Sequence, residues 1–329
     1  MKAIIWTQYG PPEGLQLRQI EKPVPKDNEV LIKIHAATVT AGDCEVRSLK
    51  FPLLLAVPIR LYMGPLRPRD RVLGQELAGE VEAVGKAVTR FKPGDAVFGT
   101  TGLGFGAYAE YICLPEASDS GVLATKPDAM TYAEAAAVPT AGLEALHFLR
   151  RAGIQTGQKV LVNGAGGSIG TFAVQLAKFF GAEVTGVDST AKLDTMRAVG
   201  ADHVVDYTRE DFTRGGHSYD VIFDVVGKTS FSGCLRALAP NGYYLLANAS
   251  FSARLRGVWT SRTSGKRVFT SNASQAQDDL IFLRRLIEAG QLRTVIDRAY
   301  PLEQTADTHR YVDSGQKKGH VVITVIPQD

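Results

Sequence analysis

Hydrophobic and polar positions follow two different rhythms along this chain. From residue 1 to about 120 they alternate at period 2 between Gly/Pro turns. "EVLIKIHAATV" (29–39) follows the turn-rich "PVPKDN" as a strand, and "AGEVEAVG" (78–85) alternates up to Gly85. Pro93-Gly94 makes a turn ahead of another strand, and "GAYAEYICL" (106–114) alternates again. This pattern predicts an antiparallel barrel or sandwich. The run "FPLLLAVPIRLYMGPLRPRDRV" (51–72) reads as a long apolar loop, with Tyr62 as a candidate wall of a substrate pocket.

From about 125 the rhythm changes. "TYAEAAAVPTAGLEALHFLRRAG" reads as helix interrupted at Pro139, with His147 on an apolar, structural face. Strand 159–163, helix 168–180, strand 183–187, helix 190–199, strands 203–205 and 220–224, helix 229–238 and strand 242–247 follow. Strand–helix alternation of this kind predicts a doubly wound parallel sheet with helices on both faces. "SFSARLRGVWTSRTSGKRVF" (250–269) reads as a long, basic, Ser-rich loop, and "KKGHVVITVIP" (317–327) as a strand that rejoins the first domain. The expected division is 1–124 with 272–329 as one domain and 125–271 as the other; a chain of 329 residues is long enough for two.

Composition narrows the function classes. Thirty-seven basic against 34 acidic side chains leave +3, which gives no expectation of a nucleic-acid or membrane partner. "MKAIIWTQYG" lacks the features of a signal peptide, and no segment has the length to span a bilayer. Cys44, Cys113 and Cys234 are far apart and form no CxxC pair, which argues against a disulfide framework or a four-Cys zinc. A soluble, cytoplasmic protein is expected.

The candidate chemistry lies in "VLVNGAGGSIGTFAVQLAKFFGAEVTGVDST" (160–190). A strand-to-helix turn presents unpaired N–H groups at the positive end of the helix dipole, which suits an anion. Gly164, Gly166 and Gly167 permit a tight turn close to a pyrophosphate, with Ser168 and Ile169 opening the helix. The strict GxGxxG is broken because Ile169 stands where its third Gly would be. Asp188 ends the next strand, where a carboxylate accepts hydrogen bonds from the adenosine ribose and repels a 2′-phosphate. That favours NAD(H) over NADP(H). Ser189, Thr190 and Lys192 follow directly, and two hydroxyls with a cation suit a phosphate.

"VLGQELAGEVEAVGKAVTRFKPGDAVFG", "AAAVPTAGLEAL", the glycine-rich segment, "GADHVVDY" and "DVIFDVVG" run in an order that resembles the medium-chain dehydrogenase/reductase superfamily, in its zinc-free quinone oxidoreductase (zeta-crystallin-like) branch. The resemblance implies an α/β protein: a GroES-like β-barrel substrate domain interrupted by a Rossmann domain, a nicotinamide dinucleotide in the cleft between them, and a homodimer. It also implies that Thr40, Asp43 and Gln75 line the cleft, that Thr140 lies by the nicotinamide and that Tyr207 reaches the adenosine side. In zinc members a Cys and the His of Gly-His-Glu bind the metal. Here those places read Thr40 and Gln75, neither a usual zinc ligand, and no metal residue is assigned. Cys44, four residues on, is a conceivable substitute ligand but has no His partner in register. The Asn and Tyr that quinone oxidoreductases often carry read Thr40 and Glu45, which bears on the quinone as substrate and not on hydride chemistry.

Each candidate has a plain structural role beside the functional one. Thr40 can satisfy strand-end backbone, Asp43 can cap the helix beginning "CEVRSL", and Gln75 can be a satisfied buried amide. The favoured function is zinc-independent hydride transfer from NAD(P)H to a small, hydrophobic, electron-poor quinone, enone or other activated acceptor, which needs placement and hydrogen-bond donors for a developing oxyanion. The alternative is a non-catalytic nucleotide-binding protein, crystallin-like or redox-sensing. A zinc-dependent alcohol dehydrogenase is third.

Overall fold

The computed structural model describes the chain except residues 52, 70–71, 119–120, 272 and 328–329 and the side chains of 53–55, 62 and 103. Two compact units divide it: Met1–Thr140 with Gln275–Arg284 and Ile296–Asp329, and Ala141–Ser274 with Arg285–Val295.

The first unit opens with β1 (Lys2–Trp6), β2 (Leu15–Gln19), β3 (Glu29–Thr38), α1 (Ala41–Ser48), α2 (Leu53–Met63), β4 (Glu76–Val84), β5 (Ala96–Thr100), β6 (Tyr111–Pro115), β7 (Val122–Thr125) and α3 (Tyr132–Ala136). α4 (Pro139–Ala152) leads into the second unit, with Pro139 at its first turn, where a missing N–H is harmless. There follow β8 (Lys159–Asn163), α5 (Ser168–Phe179), β9 (Glu183–Asp188), α6 (Leu193–Ala198), β10 (His203–Asp206), β11 (Tyr219–Asp224), α7 (Phe231–Ala237), β12 (Leu238–Leu246), α8 (Phe251–Thr263) and β13 (Arg267–Phe269). α9 (Gln277–Glu288) crosses the division, and β14 (Ile296–Pro301), α10 (Thr305–Asp313) and β15 (His320–Thr324) complete the first unit.

In the first unit β14-β15-β3-β4-β5-β7 form one path, with β6 also on β3. Every pairing there is antiparallel except β14 with β15. The C-terminal strand β15 does rejoin this sheet, through Val322↔Thr38 and Ile323↔Ala37 of β3. Alternate side chains of β3 and β4, such as Ile32, Ile34, Leu77 and Val81, bury into one core with Trp6, Leu73 and Val97.

The second unit is a parallel sheet of order β10-β9-β8-β11-β12-β13. Val160, Leu161 and Val162 of β8 are all fully buried, as a strand covered on both faces requires. The chain runs outward from β8 to one edge and then from β11 to the other, so the strand order reverses at β8/β11. Open α/β sheets bind ligands at such a point, beyond the carboxyl ends of the strands.

Two stretches differ from their sequence reading. Residues 53–63, expected as loop, are the helix α2 with Pro58 inside it; an apolar, Pro-containing run carries no helical polar face to reveal it. The Tyr62 side chain, expected in a pocket wall, lies outside the described residues. The basic stretch 250–269, also expected as loop, is α8 followed by the edge strand β13. Ser250 caps α8, its Oγ accepting from the Ala253 N–H at 3.2 Å. Only Gly257 and Thr260 of α8 are buried, so no inward apolar stripe betrays this helix. No helix of the described residues is long and apolar enough to cross a membrane.

Candidate functional site

In the second unit β8 ends at Asn163 and the backbone turns at Gly164, whose φ of +87° lies in the left-handed region that favours glycine. The Gly164 and Ala165 N–H groups donate to the Val187 carbonyl at 2.9 and 3.1 Å, and the Gly166 N–H donates to Asp188 Oδ2 at 3.0 Å. The turn is thereby tied to the end of β9. Gly167 is the N-cap of α5 and has no side chain to cap it, so the helix's positive end is served by backbone alone.

The glycines divide the work. A Cβ at Gly170 would meet the Gly164 carbonyl oxygen at 2.1 Å, so this residue lets α5 pack against the turn. It supplies, one position later, the third glycine that Ile169 displaces. A Cβ at Gly166 would strike Lys192 at 2.6 Å. A Cβ at Gly167 would meet only the Gly164 oxygen, at 3.4 Å, and otherwise project into open space. The cradle above Gly167, Ser168 and Ile169 therefore fits a pyrophosphate.

Asp188 is almost fully buried. Besides Gly166, it accepts from the Ser189 N–H at 2.8 Å and pairs with Lys192 Nζ at 3.3 Å. The pairing weakens the expected repulsion of a 2′-phosphate, because a nearby cation cancels most of the carboxylate's field. β10 pairs with β9 so that Asp206 lies opposite Asp188. The next residue, Tyr207, donates its N–H to the Asp188 carbonyl at 3.1 Å and leaves its ring 60% exposed. Gly164, Gly166, Gly167, Ser168, Ile169, Asp188, Lys192 and Tyr207 thus gather at the carboxyl ends of β8, β9 and β10. Missed by sequence reasoning was that β8, β9, β10 and β11 each end in Asn or Asp. Asp224 Oδ1 accepts from Asn163 Nδ2 and from the N–H groups of Val226 and Gly227, and Asp206 holds Thr208 and Thr190. The readable signal is an Asx closing each apolar run.

In the first unit Thr40 and Asp43 form a capping box at the start of α1. The Asp43 N–H donates to Thr40 Oγ1 at 3.1 Å; Asp43 Oδ2 accepts from the Thr40 N–H at 2.8 Å and its hydroxyl at 2.6 Å. The cap is therefore Thr40, with Asp43 three residues inside. Asp43 is wholly buried, and burial pushes its carboxyl up to about 6 against the pull of the Thr40 donors. The Tyr108 hydroxyl lies near enough to favour the Asp43 anion, yet short of hydrogen-bond geometry.

Gln75 donates its amide to the Gly102 carbonyl at 2.8 Å. Its neighbour Glu76, not singled out from the sequence, is buried at the centre of this group. Glu76 Oε1 accepts from the Thr140 N–H at 2.7 Å and Oε2 accepts from the Thr38 hydroxyl. Burial raises its carboxyl to about 7, and the Asp43 charge adds to the rise. The Thr140 hydroxyl oxygen is buried with no hydrogen-bond partner among the described residues. Thr40 and Asp43 thus hold each other and Glu76 holds Thr140, with the Asp43 charge felt at Glu76, while Gln75 bonds apart from them to Gly102.

His147 joins α4 to the loop after β13, with Nδ1 3.2 Å from Ser274 Oγ. Cys44 does have a histidine partner, far away in sequence: its Sγ lies 3.3 Å from His309 Nδ1, which also accepts from Arg47 Nε. Burial first, and the Arg47 cation beside it, depress His309 to about 3, while burial pushes the Cys44 thiol far up. A protonated thiol beside a guanidinium is a poor metal ligand. Among the described residues no group of three or more His, Cys, Asp or Glu could hold a metal ion.

Residues 26–127 match the family model for the alcohol dehydrogenase GroES-like domain, and residues 199–323 that for zinc-binding dehydrogenase. A quinone oxidoreductase of Pseudomonas aeruginosa is 33% identical over 342 residues, covering 98% of this chain and 99% of that protein. An NADPH-dependent alkenal/one oxidoreductase of Arabidopsis thaliana is 33% identical over 340 residues, covering 99% of this chain and 80% of that one. The solved quinone oxidoreductase of Coxiella burnetii superposes with a TM-score of 0.87 at 29% identity, covering 99% of each chain. With this coverage, and with the glycine turn, Gln75 and the doubly wound sheet in family order, the chain belongs to the medium-chain dehydrogenase/reductase superfamily, in its zinc-free quinone oxidoreductase branch.

Proposed function

We propose that the protein is an NAD(P)H-dependent oxidoreductase that reduces an electron-poor alkene, enone or quinone without zinc. The observation that carries this is the open cradle over Gly167 at the N-terminus of α5, floored by Asp188 and Lys192. When bound, the reduced coenzyme supplies the hydride. The residues of the chain do the rest. Backbone N–H groups of Gly167, Ser168 and Ile169 take the pyrophosphate, and Asp188, Lys192 and Tyr207 take the adenosine end. In the other unit, the Gln75 amide has one N–H beyond that given to Gly102 for the acceptor oxygen, Thr40 fixes the start of α1 by giving its proton to Asp43, and Thr140 serves the nicotinamide side. Buried Asp43 acts by holding Thr40, and Glu76 by holding Thr140.

On the coenzyme, Asp188 taken alone favours NAD(H). Its ion pair with Lys192 and the NADPH-dependent relative support NADPH as the better substrate. Zinc independence is supported by the donor chemistry: an amide and a hydroxyl at residues 75 and 40 are weak zinc ligands. The test is chelator-treated protein given NADPH or NADH and a series of quinones, enones and alcohols. Undiminished acceptor-dependent oxidation of NADPH is expected. Activity lost on chelation and restored by zinc would instead establish the zinc enzyme, and coenzyme binding without turnover would favour the non-catalytic reading.

A further inference from the structure

Glu144 is the only acid of α4 and has no part in the chemistry described above. It is half-buried, and its carboxyl takes no hydrogen bond or ion pair among the described residues. Asp43, Glu76, Asp188, Asp206 and Asp224 are each held by donors. No charged side chain acts on Glu144 from any element packed against it, and burial alone lifts its carboxyl to about 7. On its own helix the nearest titratable group, His147, is occupied by Ser271 and Ser274.

α4 leads through residues 153–158 into the start of β8, so it runs antiparallel to the strands and begins near their carboxyl ends. Phe148 stacks on Phe223, the last residue but one of β11, with ring centroids 5.2 Å apart. His147 meets serines that lie past the end of β13. Residues four apart share a helix face, about 6 Å from each other. Glu144, one turn before Phe148, therefore stands just beyond the carboxyl end of β11, on the face that Thr140 begins. β11 pairs with β8 where the strand order reverses. Under the proposed function the adenosine end of the coenzyme lies at β9 and β10 and its pyrophosphate at β8, so the nicotinamide half extends the other way, over β11. We infer that Glu144 is the proton donor of the reaction, beside the nicotinamide and the acceptor; this rests on the proposed function. The β-carbon of an enone takes the hydride with its two electrons from the reduced coenzyme, and the alkene π pair becomes an enolate. The Glu144 O–H then breaks, its proton bonds to the α-carbon, and water reprotonates the carboxylate. A carboxyl that burial keeps protonated near neutral pH, with no donor to hold its anion, suits this step. Glu76 is raised as far but is already held by Thr38 and Thr140.

The test uses the full chain with NADPH and two acceptors: a simple alkyl enone, and tetrachlorobenzoquinone, whose reduced anion needs no proton on carbon. Glu144→Gln should bind NADPH as the natural protein does, by fluorescence titration, and turn over the quinone at a similar rate. Its kcat with the enone should fall roughly a hundredfold. With the natural protein that kcat should decline as pH rises through about 7, and Glu144→Gln should lose this limb. Glu76 titrates in the same range, so the assignment comes from the difference between the two proteins. Thermal unfolding checks the fold; Glu144→Asp, which keeps an acid with shorter reach, should retain the pH limb at a reduced enone rate. An enone rate and pH profile unchanged in Glu144→Gln, or equal losses with both acceptors, would overturn this role and leave the proposed function standing. Coenzyme bound by the natural protein but oxidised by neither acceptor would overturn both.

Discussion

At the scale of single residues, Gly167 and the Asp188–Lys192 pair separate folding from binding. Gly167→Val places a side chain in open space, so it should leave the melting temperature within a few degrees and weaken coenzyme binding at least about tenfold. Paired losses of stability and binding would reduce the turn to a structural role; calorimetric titration beside thermal unfolding checks this. The same substitution at Gly170 would collide with backbone and should unfold the unit's turn. Asp188→Asn keeps an acceptor for Gly166 or Ser189 but frees Lys192, so the NADPH/NADH ratio of kcat/KM should rise roughly tenfold. Lys192→Met should move it the other way. A ratio indifferent to both would remove the pair from coenzyme selection.

At the scale of elements, helix ends do most of the positioning. The capping box that starts α1 commits both the proton and the lone pairs of Thr40 to Asp43. Thr40→Ala should therefore destabilise the protein by about 1–2 kcal/mol through loss of the cap and of a donor to a buried carboxyl. Thr40→Ser should restore stability. If kcat falls in Thr40→Ala while stability is rescued by other means, the hydroxyl also serves the acceptor; urea unfolding and steady-state kinetics on the same variants decide. At α5 no side chain caps the first turn, which under the proposed function leaves that place to the coenzyme, since a Ser or Asp there would fill it.

At the scale of the whole molecule, buried carboxyls shape stability against pH. Burial lifts Glu76 and Glu144 to about 7 and Asp43 to about 6, from ordinary values of 4.5 and 3.8. The folded chain binds these protons more tightly than the unfolded one, so their contribution is fully present below the ordinary values and is lost as pH rises through 6 to 7. His309, depressed to about 3, acts oppositely between 3 and 6.5 and flattens the total. Comparison with Glu76→Gln isolates one group. The stability of the natural protein relative to this variant should fall between about pH 4.5 and 7, by on the order of 3 kcal/mol. Unfolding free energies that track each other across this range would mean Glu76 is charged at its site.

Local pattern alone determined much of this protein. Period-2 runs gave β3, β4 and β6, strand–helix alternation gave the doubly wound sheet, and the glycines at 164, 166 and 167 marked the turn from β8 into α5. Such features are legible because backbone geometry and side-chain direction repeat over a few residues. Tertiary structure alone decided the rest. Glu76 became the hub of its group only when β4 placed it against Thr140, and Cys44 met His309 across 265 residues of chain. α2 and α8 stayed hidden because one is apolar with an internal proline and the other turns its apolar face outward. A period shows which residues share a face. Which face is buried depends on what packs against it, and that is settled only when distant segments meet.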